Sequence, residues 1–354
     1  MKKTEYHVVG VMSGTSLDGV DLTECFFTVS KDNTWSFSIG VSETIPYPTT
    51  WKQTLREAVH YSEEKLTELN ANYTNYLSQI LTSFISRNEL KDLDAVCSHG
   101  HTILHKPDMG ITLQIGNLPE LATLIKQRVI CDFRVQDVAL GGQGAPLVPI
   151  GDRLLFSEFD YCLNLGGFAN CSFEKDTNRI AYDICPVNIV LNLYAEKLGK
   201  PFDEDGKMAA SAEVDEVLLA RLNQLHFYNE SPPKSLGLEW VKANVFPILE
   251  SSEQSPSVIL RTFTEHIAIQ LARQFSEGKK ILITGGGAYN SFLIKRLQSL
   301  KKLEVEIPSN QLVEYKEALI FGLLGVLRLR DEINCLSSVT GASKNHVSGY
   351  VFGC

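Results

Sequence analysis

Residues 10–21 read GVMSGTSLDGVD, a loop of glycines and hydroxyls with strand-like sequence on either side, YHVVG before it and VDLTECFFTVS after it. That layout predicts a β-hairpin whose turn cradles phosphate. Gly10, Gly14 and Gly19 allow tight turns and close ligand approach, Ser13, Thr15 and Ser16 offer hydroxyl donors, and Asp18 and Asp21 offer carboxylates to a hydrated metal or a sugar hydroxyl. No helix-period pattern follows the glycines, so the loop is neither a Walker A loop nor a dinucleotide fingerprint, both of which run from a strand into a helix.

The 354 residues suit about two domains and a large buried core. With 33 basic and 42 acidic residues the net charge is -9. No basic run is long enough to follow a nucleic-acid backbone or to hold an anionic membrane, so neither partner is expected. Eight cysteines without a CxxC pair, several inside apolar runs, read as reduced core thiols and point to a cytoplasmic protein. The N-terminal MKKTEYHVVG lacks the apolar stretch of a signal peptide, and the apolar run ALIFGLLGVL is too short to span a bilayer.

Working outward from the hairpin, WSFSIGVSETIPYP predicts a third strand and residues 51–87 a helix interrupted near Tyr61 and Ser62. LDAVCSHG, ITLQIGN and VICDF predict further strands, with the helix LPELATLIKQ between the last two. From residue 160 the plan repeats. DYCLNLGGFANCSFEK is strand, glycine turn, strand; RIAYD is a further strand leading to the helix VNIVLNLYAEKLG. Helices follow over 214–225 and 258–276, then the strand of KKILITGGGAYN, the helix SFLIKRLQSL, the strand LEVEIP and a long apolar helix over about 314–330. The tail from residue 333 is expected to return to the first domain. Two halves that each open on a hairpin-bearing sheet suggest a duplication, giving two α/β domains around a cleft. The expected division is 1–138 with about 331–354 in the N-terminal domain, and 139–330 in the C-terminal domain. The apolar helices leave room for a homodimer interface.

Three glycine turns stand out: the opening loop, NLGGFAN at 164–170 and TGGGAYN at 284–290. Any one alone is a turn before it is a ligand site. Two of them occupy matching hairpins, and the third opens a helix, where backbone N–H groups and the helix dipole favour an anion. Together these segments resemble the phosphate 1, phosphate 2 and adenosine motifs of the actin, hexokinase and Hsp70 ATPase superfamily, with its duplicated ribonuclease H-like fold. More narrowly, the chain resembles the anhydro-N-acetylmuramic acid kinase family. The blocks GVMSGTSLDGVD, SHGHTILH, LQIGN, DFR with Asp137, GGQGAPLVP, NLGGFAN, the Asp183 segment, ITGGGAYN, EALIFGLLG and VTGA carry the likeness in family order.

The resemblance implies an ATP- and Mg2+-dependent phosphotransferase that opens the 1,6-anhydro ring of 1,6-anhydro-N-acetylmuramic acid and phosphorylates O6, in peptidoglycan recycling and amino-sugar catabolism. It implies nucleotide contacts from Gly14, Thr15, Ser16, Leu17, Asp18, Gly19, Val20, Asp21, Gly166, Gly167, Asn170, Gly285, Gly286, Gly287 and Asn290, with the metal near Asp18 and Asp21. His99, Thr102, Arg134 and Glu317 fall to the sugar, and Asp183 to the catalytic base. On residues alone Asp183 is equally a capping aspartate ahead of the helix near Val187, and Arg134 has a plainer alternative as a surface or interdomain ion-pair partner. Glu317 also suits a first helical turn, where a carboxylate complements the dipole. Gly322 and Gly325 suit close packing against another helix.

Two departures from the family pattern stand out. Asp-Ile-Cys-Pro-Val-Asn at 183–188 replaces Asp-Thr-Gly-Pro-Gly-Asn, and His101 stands where a glutamine is usual. Loss of the two glycines means either a different loop path or glycines needed only for space, and bears on substrate fit. His99, His101 and His105 raise a rival, a hydrolase-type metal site, although no HExxH pattern or nearby carboxylate completes a ligand set. Other rivals are a same-fold kinase for another anhydro-sugar such as levoglucosan and a non-catalytic ATPase-fold sugar binder.

Overall fold

The computed structural model describes residues 2–14 and 16–353. Thr15 therefore lies outside the described residues. The chain forms two compact units, Met1–Leu155 with Tyr315–Cys354, and Phe156–Glu314. Both boundaries differ from the expected ones at 138 and about 331. The reason is packing. The helix Pro149–Leu155 brings Gly151 against Ile320, and the helix Asn310–Leu329 lies along the first unit's sheet for most of its length.

In the first unit β1 (Glu5–Ser13), β2 (Gly19–Val29) and β3 (Trp35–Pro46) form an antiparallel meander. β4 (Ala95–Lys106) then pairs parallel to β1 after the helix Glu63–Arg87. β5 (Ile111–Ile115) folds back on β4, and β6 (Val129–Cys131) adds parallel to β4. The tail returns as expected, its strand Tyr350–Phe352 pairing with β6. The helix over 63–87 begins at Ser62, whose side chain accepts from Lys65 N. Leu66, Leu69, Tyr73, Leu77, Leu81 and Phe84 recur at helical spacing and enter the core with Val9, Val11, Leu22 and Val96.

The second unit repeats the order. β7 (Tyr161–Leu165), β8 (Phe168–Lys175) and β9 (Asn178–Pro186) are an antiparallel meander. β10 (Lys280–Thr284) pairs parallel to β7, and β11 (Glu304–Glu306) parallel to β10. The sheets thus read β3-β2-β1-β4-β6 and β9-β8-β7-β10-β11, with β5 and the terminal strand as additions to the first. Identical order and direction bear out the duplicated α/β architecture.

Helix Asn310–Leu329 is the apolar run that was too short for a bilayer; among the described residues no helix is long and apolar enough to cross one. Its residues 318–327 are buried almost without interruption. Glycine at a helix interior costs about 1 kcal/mol relative to alanine. Gly322 and Gly325 return that cost through close approach, but to a sheet rather than to the helix expected. A methyl on Gly322 would meet Val8, Cys25 and Phe27, and one on Gly325 would stand 2.1 Å from Cys97 Sγ. The tightest approach comes from the strand side, where a methyl on Gly10 would lie 1.9 Å from the Ala318 carbonyl oxygen.

Because that obstruction is backbone, no side-chain rotation relieves it. Gly10→Ala is expected to destabilise the protein by ~3 kcal/mol or more, the upper range of overpacking, read from denaturant unfolding. A stability within ~0.5 kcal/mol of native would mean the helix is not seated this closely.

Candidate active site

The opening hairpin forms as read, with Met12 opposite Asp21. Its turn does not use the glycines as expected. Gly10, Gly14 and Gly19 take no left-handed φ, and among the described residues of the turn the left-handed one is Leu17, at φ 61. Leu17 N donates to the Gly14 carbonyl at 3.3 Å, closing the turn. Gly19 serves close approach instead, since a Cβ there would lie 2.4 Å from the Ile45 carbonyl oxygen. The Asp18 carbonyl accepts from Tyr47 N at 3.2 Å, while its carboxylate is exposed. Asp21 is half-buried and accepts from the Thr44 hydroxyl at 2.6 Å.

Ser13 is not a phosphate donor. Its hydroxyl is buried and bonds to Tyr47 OH at 2.6 Å and His101 Nδ1 at 2.8 Å, and Tyr47 bonds in turn to Tyr73. Burial pushes the His101 pKa down to about 4, so the ring is neutral at physiological pH. Tyr47 and Tyr73 carry no local signal for this role; Tyr47 arrives directly after the end of β3, Tyr73 from the helix over 63–87, and His101 by β1–β4 pairing.

Three of the residues expected on the sugar side converge. Arg134 Nε donates to His99 Nε2 at 2.9 Å, and His99 Nδ1–H donates to the Gly100 carbonyl at 2.9 Å. Those two bonds require the neutral tautomer protonated at Nδ1. Burial, reinforced by the Arg134 charge, drives the His99 pKa well below its ordinary value and holds that state. Arg134 Nη1 also donates to the Gly144 carbonyl at 2.6 Å. Glu317 is reachable by solvent yet crowded by protein. That crowding raises its carboxyl pKa, Arg134 opposes the rise, and Asp21 adds to it. Thr102 stands apart from these three, accepting from Gln114 Nε2 at 3.3 Å. With His99 and His101 committed to Arg134 and Ser13, the histidines do not form the rival metal site.

In the second unit strand register assembles the site. Thr284, Asn164, Asn170 and Asp183 are successive partners across β10, β7, β8 and β9, forming one polar row near the glycine turns. Asn164 and Thr284 were missed; their signal is position, Thr284 directly before Gly285 and Asn164 two residues before Gly166, and it becomes visible only once register is known. The pairing slips between Ala169 and Asn170, so Ile184 is bulged beside Asp183. Bulges of this kind re-aim neighbouring side chains.

The turns lean on one another. Val187 N and Ile189 N donate to the Gly167 carbonyl at 2.8 and 3.3 Å, seating the helix Asn188–Lys197 on the NLGGFAN turn. Asn188 Nδ2 donates to the Leu165 carbonyl at 3.2 Å. Gly285, at φ 80, has Asn164 Oδ1 and the Leu165 backbone where a Cβ would go, and Gly287 is similarly closed by Leu165. Gly286 has room for a methyl group, whose nearest neighbour would be Asn188 Nδ2 at an ordinary contact distance of 3.8 Å. Asn290 uses its side chain to cap the helix Ser291–Leu300, accepting from Leu293 N at 3.0 Å.

A family model for anhydro-N-acetylmuramic acid kinase matches residues 6–353. The chain belongs to that family. The curated anhydro-N-acetylmuramic acid kinase of Mannheimia succiniciproducens is 32% identical over 98% of each chain, and that of Francisella tularensis subsp. novicida 31% identical over 98% of this chain and 99% of its own. The solved component A of (R)-2-hydroxyglutaryl-CoA dehydratase from Acidaminococcus fermentans aligns at 14% identity with a TM-score of 0.45, covering 89% of this chain and 95% of its own; at that distance the fold rests on strand order.

The kinase family's usual glycines at 185 and 187 are replaced here without a left-handed angle. Cys185 continues β9 and Val187 sits at φ -130, and both side chains are wholly buried in the second unit's core. The departure is therefore a packing change facing inward. Asp183 keeps its place in the row, half-buried, with Oδ2 accepting from Leu236 N at 2.8 Å. Burial raises its pKa to about 6, against the lowering effect of that hydrogen bond.

The glycine geometry separates positions closed to a side chain from those with room for one. Gly285→Ala is expected to cost roughly 2–3 kcal/mol, because it places a Cβ in a glycine-only region of backbone space and against Leu165. Gly286→Ala should unfold within ~0.5 kcal/mol of native yet weaken nucleotide binding measured by calorimetry. Equal stabilities for the two variants would contradict the packing described.

Proposed function

We propose that this chain is the kinase its relatives are named for, converting 1,6-anhydro-N-acetylmuramic acid, water and ATP to N-acetylmuramic acid 6-phosphate and ADP. The observation that carries the reading is Asp183: a half-buried carboxylate in a polar row beside two glycine turns, with its pKa raised to about 6. A general base is most effective when its pKa lies just below working pH. At pH 7 about nine-tenths of such a group is ionised.

The substrate's O6 is tied up in the bridge to C1, so phosphorylation requires opening that bridge. Asp183 takes a proton from a water, whose oxygen bonds to C1 as the C1–O6 bond breaks. The electron pair left on O6 forms the new bond to the γ-phosphorus, and ADP departs with the β–γ bridging oxygen. Asp183 afterwards returns its proton to solvent. His99, Thr102, Arg134 and Glu317 are the sugar-binding groups of this reading, Arg134 being the cation suited to a carboxylate and Glu317 an acceptor for hydroxyls.

Gly14, Thr15, Ser16, Leu17, Asp18, Gly19, Val20 and Asp21, together with Gly166, Gly167, Asn170, Gly285, Gly286, Gly287 and Asn290, are assigned to the nucleotide. Asp18 and Asp21 fit a magnesium ion: both are oxygen donors on a solvent-reachable hairpin, the chemistry that ion requires. When bound, magnesium would neutralise charge on the transferred phosphoryl group. Reaction in the cytoplasm agrees with the buried free thiols at Cys25, Cys97, Cys131, Cys162, Cys171, Cys185 and Cys335.

Asp183→Asn is expected to lower kcat by ~10³-fold, judged by ADP release with the anhydro-sugar. It should melt no lower than native, because a neutral amide escapes the cost of holding a charge in that position. For the native enzyme, the acid limb of kcat should fall tenfold per pH unit below about 6, since the ionised carboxylate is the active form. Native turnover by the variant, or an acid limb set near pH 4, would remove Asp183 as the base.

A further inference from the structure

The C-terminal tail carries a donor cluster that the kinase chemistry does not use. Cys335 and His346 face each other as a hydrogen-bonded backbone pair, Cys335 N donating to the His346 carbonyl at 3.1 Å and His346 N to the Cys335 carbonyl at 3.2 Å. Asp137, on the short helix Val135–Ala139, completes the group. All three are buried, and Sγ, an imidazole nitrogen and a carboxylate oxygen lie within 4.8 Å of one another.

The histidine is the second observation. His346 Nδ1–H donates to the Lys344 carbonyl at 3.1 Å, which leaves Nε2 with a lone pair. That nitrogen is 5% exposed as a residue, has no hydrogen-bond partner among the described residues, and points at Asp137 Oδ1 from 3.6 Å. Two lone pairs facing each other in a buried place call for something positive between them. Asp137 is also oriented from behind, as metal-bound carboxylates are: Thr340 Oγ1 donates to Oδ1 at 2.7 Å and Gly144 N to Oδ2 at 2.7 Å.

We propose that Asp137, Cys335 and His346 bind a zinc ion in a structural site. Cysteine, histidine and carboxylate are zinc's ordinary ligands, and bond lengths near 2.0–2.3 Å put tetrahedral donors roughly 3.3–3.8 Å apart. The cluster therefore needs to contract by up to about 1 Å on loading. Binding releases the Cys335 thiol proton to solvent, and a water takes the fourth position. The ion would fasten the tail to the 134–144 segment, the segment whose Gly144 carbonyl accepts from Arg134.

The test uses full-length protein stripped with chelator and dialysed. Zinc should rebind at one equivalent and raise the melting temperature, and cobalt should give a thiolate-to-metal charge-transfer band in the near ultraviolet. Cys335→Ser should abolish that band although seven other cysteines remain of the eight, and His346→Ala should weaken zinc at least ~10-fold. The proposal is overturned by native protein that takes up neither metal stoichiometrically, or by a cobalt band that persists in Cys335→Ser. A native band with no melting shift overturns the structural role. None of these readings depends on kinase activity, so failure here leaves Asp183 untouched.

Discussion

The first unit depends on how closely β1 lies against the helix Asn310–Leu329. At Gly10 the strand backbone and the Ala318 carbonyl leave no room for a methyl group. Glu317 is the next residue back along that helix, so the contact that forbids a side chain at 10 also sets Glu317 relative to the hairpin strand. Arg134 and Asp21 then act on its carboxylate from opposite electrostatic sides. His99 joins through its bond to Arg134 and through its ring against Phe321, one turn further along the same helix. The His99, Arg134 and Glu317 constellation is thereby built on rigid elements rather than on loops.

The second unit reaches a comparable precision by register. Thr284, Asn164, Asn170 and Asp183 come from four strands and are aligned only because each pairing is in step. A slip of one residue would turn any of them to the opposite face of the sheet. The bulge at Ile184 is the single irregularity in the row, and it sits next to Asp183. Behind the row, Cys185 and Val187 fill the core, which explains how glycines can be lost from that segment while Asp183 stays in register.

Much of this was legible in the sequence because it is written in local pattern. The alternation around GVMSGTSLDGVD and NLGGFAN predicted both hairpins, and glycine turns marked the ends of β7 and β10. What stayed hidden depends on distant partners. Nothing in GVMSGTSLDGVD says that Leu17 takes a left-handed angle while Gly10 and Gly19 are held close to Ala318 and Ile45. Ser13 reads as a phosphate donor until Tyr47 and His101 are brought to it by tertiary pairing. The unit boundaries were misplaced for the same reason. An apolar helix announces that it will be buried, but not against which sheet.

The duplicated sheet order makes the differences between the halves informative. Both open with a meander, yet the first spends five residues, 14–18, on its turn, while the second uses only Gly166 and Gly167. Around the long turn Ser16 and the Asp18 carboxylate are exposed; the short one is occupied in seating a helix, its Gly167 carbonyl taken by Val187 and Ile189 and its Gly166 carbonyl by Asn188. On the third strand the asymmetry is sharper. The meander row Met12–Asp21–Thr44 ends on a hydroxyl that donates to Asp21, whereas Asn164–Asn170–Asp183 ends on a carboxylate whose only described hydrogen bond is to Leu236 N. A single backbone donor does not offset burial, so the pKa rises. In the first half the equivalent carboxylate has moved to the middle strand and gained a partner. The same architecture thus gives Asp21 a hydroxyl donor on the neighbouring strand and leaves Asp183 a carboxylate that burial makes easier to protonate.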